Sequence, residues 1–171
     1  LSTMKRAAQL QPLSRQHHLG LNLSRHAKEC LDTPEAISKH WLNLTGYINE
    51  MQSHFQLEDN LIANSLHPYN SEPEVASALA TLNEQHNTLH AVVAEVEATE
   101  ESTAADEGSP NFKSYDVNVR QVRELATLLY DHIRFEEREL FPLAERYLTE
   151  KELDAIYDAS SNSVKRADEN R

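Results

Sequence analysis

The chain has 171 residues, the length of one domain with a core of its own. A formal net charge of −12 argues against nucleic acid as a partner, because phosphate contacts need Lys and Arg. One cysteine, Cys30, excludes an intrachain disulfide framework and fits a reducing cytoplasm, and the scarcity of glycine (three) and proline (six) beside abundant Ala, Leu, Glu and Gln favours helix over sheet.

No apolar run approaches the roughly 18 residues of a membrane span, and the segment LSTMKRAAQL lacks the apolar core of a signal peptide. Taken in chain order, Pro12 to Leu31 reads as a first helix, with Ser14 as a candidate N-cap and Leu21, Leu23 and Ala27 inward. The segment DTPEA then restarts a helix, since Thr33 caps well and Pro34 suits the first helical position. This second helix runs to about Leu66, with Trp41, Leu44, Ile48, Met51, Phe55, Leu61 and Ile62 at helical spacing. Ser71 with Glu74 forms a capping box for a third helix striped by Val75, Leu79, Leu82, Leu89, Val93 and Val96.

Residues 97–111 are acidic, small and turn-rich and read as an exposed loop. A fourth helix starts at Ser109 and Pro110, carries Tyr115, Val119, Val122, Ala126, Leu129, Ile133 and Leu140 inward, and is kinked or ended by Pro142. Thr149 with Glu152 caps a short fifth helix over about 150–160, before a frayed tail. The expectation is an all-α, antiparallel up-and-down four-helix bundle in a single domain, with its core over about 12–148.

Polar residues interrupt these apolar stripes. His54 and Glu58 share the inward side of the second helix, His86 and His90 that of the third, and His132 and Glu136 that of the fourth. Residues four apart are helical neighbours, so both members of each pair reach one place. A single pair of this kind carries little weight, and a lone inward histidine is more often a hydrogen-bonded core residue than a ligand. Four imidazoles and two carboxylates together are different, because they are expensive to desolvate and the inward faces offer no Lys or Arg partner. A metal ion resolves the conflict. The first helix adds His17 or His18. His17 shares its face with Gly20, Leu21 and Ser24, whereas His18 lies with Asn22 and Arg25, so His17 is the better inward candidate. His26, His40 and His67 read as exposed or structural.

A helix-one histidine followed by HxxxE, HxxxH and HxxxE on successive helices resembles the hemerythrin-like (HHE cation-binding) family, in its bacterial form. LSRQHH and HIRFEERELFPL are similar to its opening and closing signatures, and the likeness covers about Pro12 to Leu148. That resemblance implies two non-haem iron ions in a four-helix bundle. His86, His90 and His132 would hold one ion, and His17 and His54 the other, with Glu58 and Glu136 bridging. The open position would take O2, NO or another small ligand. Oxygen-carrying members use an Asp five residues after the last His, a spacing that Glu137 holds here. On a straight helix Glu136 lies about 40° from His132 and is the better bridge, whereas Glu137 lies about 140° away on a more solvated side with Arg134 and Arg138 and is the alternative. Carriage or sensing of a small molecule is the leading expectation. A di-iron oxidase or peroxidase-like enzyme is the alternative, with iron storage or iron–sulfur repair behind it. The Glu-x-x-His motif of ferritin-like oxidases is missing at all of His54, His86, His90 and His132. The stretch before Pro12 in this sequence leaves no room for the cysteine-bearing domain that the resemblance links to iron–sulfur repair, which lowers that expectation.

Overall fold

The computed structural model describes residues 6–104 and 117–160, with the backbone alone over 97–104. Four helical rods make an antiparallel bundle. The first is α1 (Gln11–Ala27), entered through a 3-10 turn at Ala8–Leu10. The second is built from α2 (Pro34–Glu50), α3 (Gln52–Leu57), a π-helical turn (Glu58–Ile62) and α4 (Ala63–Leu66). The third is α5 (Pro73–Ala104). The fourth joins α6 (Val119–Phe135) to α7 (Phe141–Tyr147) through a second π-helical turn (Glu136–Leu140), and α8 (Glu150–Ala159) follows. The described residues contain no strand and no helix long and apolar enough to cross a membrane.

The helix starts follow their capping chemistry. Thr33 Oγ1 accepts from the Ala36 N–H at 3.2 Å with Pro34 next to it, and Thr149 closes a reciprocal box with Glu152. Each such cap stabilises by about 1 kcal/mol. Four boundaries differ from expectation. α1 ends at Ala27 and already contains Ser14 within its first turns, so the Ser14 hydroxyl is free to bond elsewhere. α5 opens one residue past Glu72, whose carbonyl accepts the Val75 and Ala76 N–H groups, so Ser71 is not the cap. The helix also overruns the expected loop, staying helical to Ala104. α6 opens at Val119 on an Asn118–Gln121 capping box rather than at Ser109 and Pro110, which with Tyr115 and the tail from 161 lie outside the described residues.

Two apolar clusters fill the bundle. One gathers Trp41, Leu44, Ile48, Phe55, Leu89, Leu125, Leu129 and Ile133; the other gathers Leu10, Leu13, Ile62, Leu82, Leu140 and Phe141. On every rod the change from one cluster to the other falls at a buried histidine: Leu13 and Ala27 flank His17, Phe55 and Leu57 follow His54, Leu82 and Leu89 flank His86, and Ile133 and Phe135 follow His132. The bundle therefore has a polar waist.

Candidate metal centre

Six side chains make the waist. His17, His54, Glu58, His86, His132 and Glu136 are each 3% exposed or less. Their donor atoms fall into two groups: His17, His54, Glu58 and Glu136 in one, and Glu58, His86, His132 and Glu136 in the other, each spanning less than 4.8 Å. Both carboxylates belong to both groups. Glu58 lies 3.2 Å from His54 Nε2 through one oxygen and 3.3 Å from His86 Nε2 through the other. Glu136 lies 2.6 Å from His132 Nε2 and 3.7 Å from the Nε2 atoms of His17 and His54.

Local helix geometry sets this up. An α-helix places consecutive residues about 100° apart, so Glu58 and Asp59, or Glu136 and Glu137, cannot both face one centre on a regular turn. Both π-helical turns begin at the inward glutamate, and the widened turn brings the next acidic residue round toward the imidazole of a neighbouring rod. Gly20 serves a different need. A Cβ there would come within 2.5 Å of the Tyr47 ring and 2.6 Å of Ile133, so only glycine lets these rods approach.

Every imidazole is held from behind. His17 Nδ1 donates to Glu137 at 3.0 Å, His54 Nδ1 to Gln16 at 2.8 Å, His86 Nδ1 to Asp59 at 2.9 Å and His132 Nδ1 to Gln85 at 2.6 Å. A carboxylate or amide oxygen only accepts, so each Nδ1 carries the proton and each neutral ring turns a lone pair on Nε2 inward. These four outer residues were not picked out from the sequence, apart from Glu137 as a rival ligand. Their signal is the repeat QH…HxxxE(D/E), present at 16–17 with 54–59 and again at 85–86 with 132–137.

The inward atoms lack partners. His17 Nε2, Glu58 Oε1 and both oxygens of Glu136 are buried without a hydrogen bond among the described residues. His86 Nε2 and His132 Nε2 face each other at 3.1 Å, where at most one proton fits between them. Leaving such groups unmatched costs about 1–3 kcal/mol apiece. Burial pushes His17 below its ordinary value and His132 down to about 3, which favours the neutral form that binds metal. Burial alone would raise Glu58, but His54, His86 and His132 hold it well below the usual carboxylate range. Burial likewise opposes a charge on His86, yet Glu58 and Asp59 outweigh it and raise that group. Acceptor nitrogens and anionic oxygens aimed at one buried point fit a multivalent cation.

His90 is not brought to the cluster. The buried line of α5 runs through Leu82, His86, Leu89 and Val93, and His90 falls beside it on the exposed rim. The Phe55 ring lies against His86, His132 and His90, with centroids at 4.7, 5.8 and 6.1 Å, and takes apolar space at the level His90 would have to enter. His18, His26 and His67 are exposed and His40 is half-buried, all outside both groups. Of the two rival pairs, His17 and Glu136 face the waist. Glu137 is half-buried at its edge rather than on the solvated side with Arg138.

Comparison with known families points the same way. Residues 7–144 match the model of the hemerythrin HHE cation-binding domain. The chain belongs to the hemerythrin HHE cation-binding family. No curated protein and no solved structure matches it. For this HHE domain, cation binding is the family property, and the His/Glu groups at the waist are compatible with it.

Proposed function

We propose that this HHE domain is a non-haem di-iron protein that binds or senses a small molecule, O2, NO or iron itself, at positions the protein leaves open on the ions. The observation that carries the reading is the sharing of Glu58 and Glu136 between two donor groups. One cation would need one such group; two groups with common carboxylates suit a bridged pair. Imidazole with carboxylate is a donor set that suits iron, and two ions held there would supply ferrous–ferric chemistry and vacant coordination positions.

The protein's part is to hold and shield. The outer acceptors fix the Nε2 lone pairs before any metal arrives, and Phe55 covers the His86 and His132 rings with apolar surface. A second reading, a di-iron oxidase or peroxidase-like scavenger, draws support from the position of His90. Without it each group has only two imidazoles, so neither ion would be held by a third and both would keep vacant positions.

The optical spectrum of anaerobically reduced, iron-loaded protein tests both. A band that forms on air and reverses on deoxygenation supports carriage or sensing. Irreversible change with release of a product supports the enzyme. Less than two irons per chain in folded protein rejects the dinuclear reading.

A further inference from the structure

The two carboxylates behind the imidazoles are not equivalent. Asp59 bonds His86 and is 47% exposed, with no second partner among the described residues. Glu137 is tied down on every side. One oxygen accepts from His17, and the other accepts from Ser14 Oγ and Arg6 Nη2, each at 3.0 Å. Arg6 also donates to the Glu137 carbonyl at 2.7 Å and pairs with Glu145, whose other oxygen accepts the Ala7 N–H. The same guanidinium lies 5.5 Å over the Phe141 ring, and that ring stacks on His17 at 5.5 Å and 10°. His17 is thus gripped through its Nδ1–H and through its face, and both grips lead back to Arg6.

We propose that Arg6, acting through Glu137 and Phe141, is a positioning residue that makes the His17/His54 position hold its metal more firmly than the His86/His132 position. The inference rests on the dinuclear reading above. A ligand whose orientation is fixed in advance loses little freedom on coordination and returns quickly to the metal if one bond breaks. The Nδ1–H of His86 is held only by an exposed aspartate that exchanges with water, and the Phe55 ring against its face is tilted by 45° with no guanidinium over it among the described residues, which leaves this imidazole freer to turn than His17. The ion at His86/His132 is therefore the exchangeable one. Arg6 touches none of the six inward residues, so a fold-level reading gives it no influence on metal.

The test uses the full chain loaded anaerobically with ferrous iron and mixed with an excess of a ferrous chelator. Wild type should release two equivalents in two phases. His86→Ala should abolish the fast phase and His17→Ala the slow one, which assigns them. Arg6→Ala and Glu137→Ala should each accelerate the slow phase by about 10- to 100-fold, the usual effect of losing an outer partner, with the fast phase unchanged. Glu137→Gln keeps an oxygen acceptor for Nδ1–H, as Gln16 and Gln85 do elsewhere, and should restore most of the slow phase relative to Glu137→Ala. Arg6→Ala removes a half-buried side chain that covers the Phe141 ring from outside without belonging to either apolar cluster, so it stays informative even where a Glu137 variant folds poorly. Release in a single phase, or an unchanged slow phase in Arg6→Ala, overturns the proposal alone. Failure of wild type to bind two equivalents overturns the dinuclear reading and this proposal with it.

Discussion

The first two rods and the last two use the same parts. Gln16–His17 and Gln85–His86 face each other across the waist, as do His54–Glu58–Asp59 and His132–Glu136–Glu137, and both π-helical turns start at the shared glutamate. The halves differ in what surrounds those parts. Three residues after His17 stands Gly20, against which Tyr47 packs; three after His86 stands Leu89, a large core residue. The second rod is interrupted at Met51, whereas α6 runs unbroken into its π-helical turn. A pair of hairpins with one ligand pattern thus makes two donor groups that match in chemistry and differ in rigidity.

The largest expected effect tests the symmetry itself. Glu58→Ala and Glu136→Ala should each remove at least half of the bound iron, because each carboxylate serves both groups. Iron analysis in which only one of the two matters breaks the comparison. Next comes removal of metal from wild type. With the inward atoms unmatched, the metal-free chain should be less stable, on the order of 4 kcal/mol if iron is about a thousand-fold above its dissociation constant. Equal thermal midpoints with and without iron would mean that the waist satisfies itself.

A smaller effect separates the halves. Gly20→Ala inserts a methyl group 2.5 Å from the Tyr47 ring and should cost about 1–3 kcal/mol in denaturant unfolding. Gly46→Ala, where a Cβ meets nothing within 4 Å, should stabilise by about 0.5–1 kcal/mol. The least effect is expected outside the donor groups. His90→Ala and His18→Ala should change stability by less than about 0.5 kcal/mol and leave iron content intact, while His86→Ala and His17→Ala lower it. Loss of iron in His90→Ala would show a rearranged α5 in the loaded protein.

The all-helical bundle could be read from apolar spacing, because amphipathic stripes and Thr33–Pro34 or Thr149–Glu152 caps are local signals. Convergence of His17, His54, Glu58, His86, His132 and Glu136 could be read too, since each replaces an apolar residue on a buried stripe. His90 misled because two residues four apart are 40° apart on a helix, and the buried line of α5 steps from His86 to Leu89 and Val93 instead. The π-helical turns were out of reach, since an inserted residue per turn leaves no compositional mark. Without them Glu137 sat on the wrong side of a straight helical wheel. The roles of Gln16, Asp59 and Gln85 depend on contacts between rods, which spacing along one rod does not encode. Residues 97–104 joined α5 despite their turn-rich composition, because a helix already under way adds each further residue at little cost.

The polar waist has a consequence for how the molecule breathes. Two apolar clusters separated by a belt of titratable groups are two cooperative units, coupled only as strongly as that belt is coherent. In the metal-free chain the lower unit, with Leu13, Ile62, Leu82 and Phe141, should open independently of the unit around Trp41 and Leu125, and its amides should exchange with solvent hydrogen far sooner. A bridged metal pair would tie residues from all four rods together at one level, so it should merge the two opening events into one and level the protection along all four.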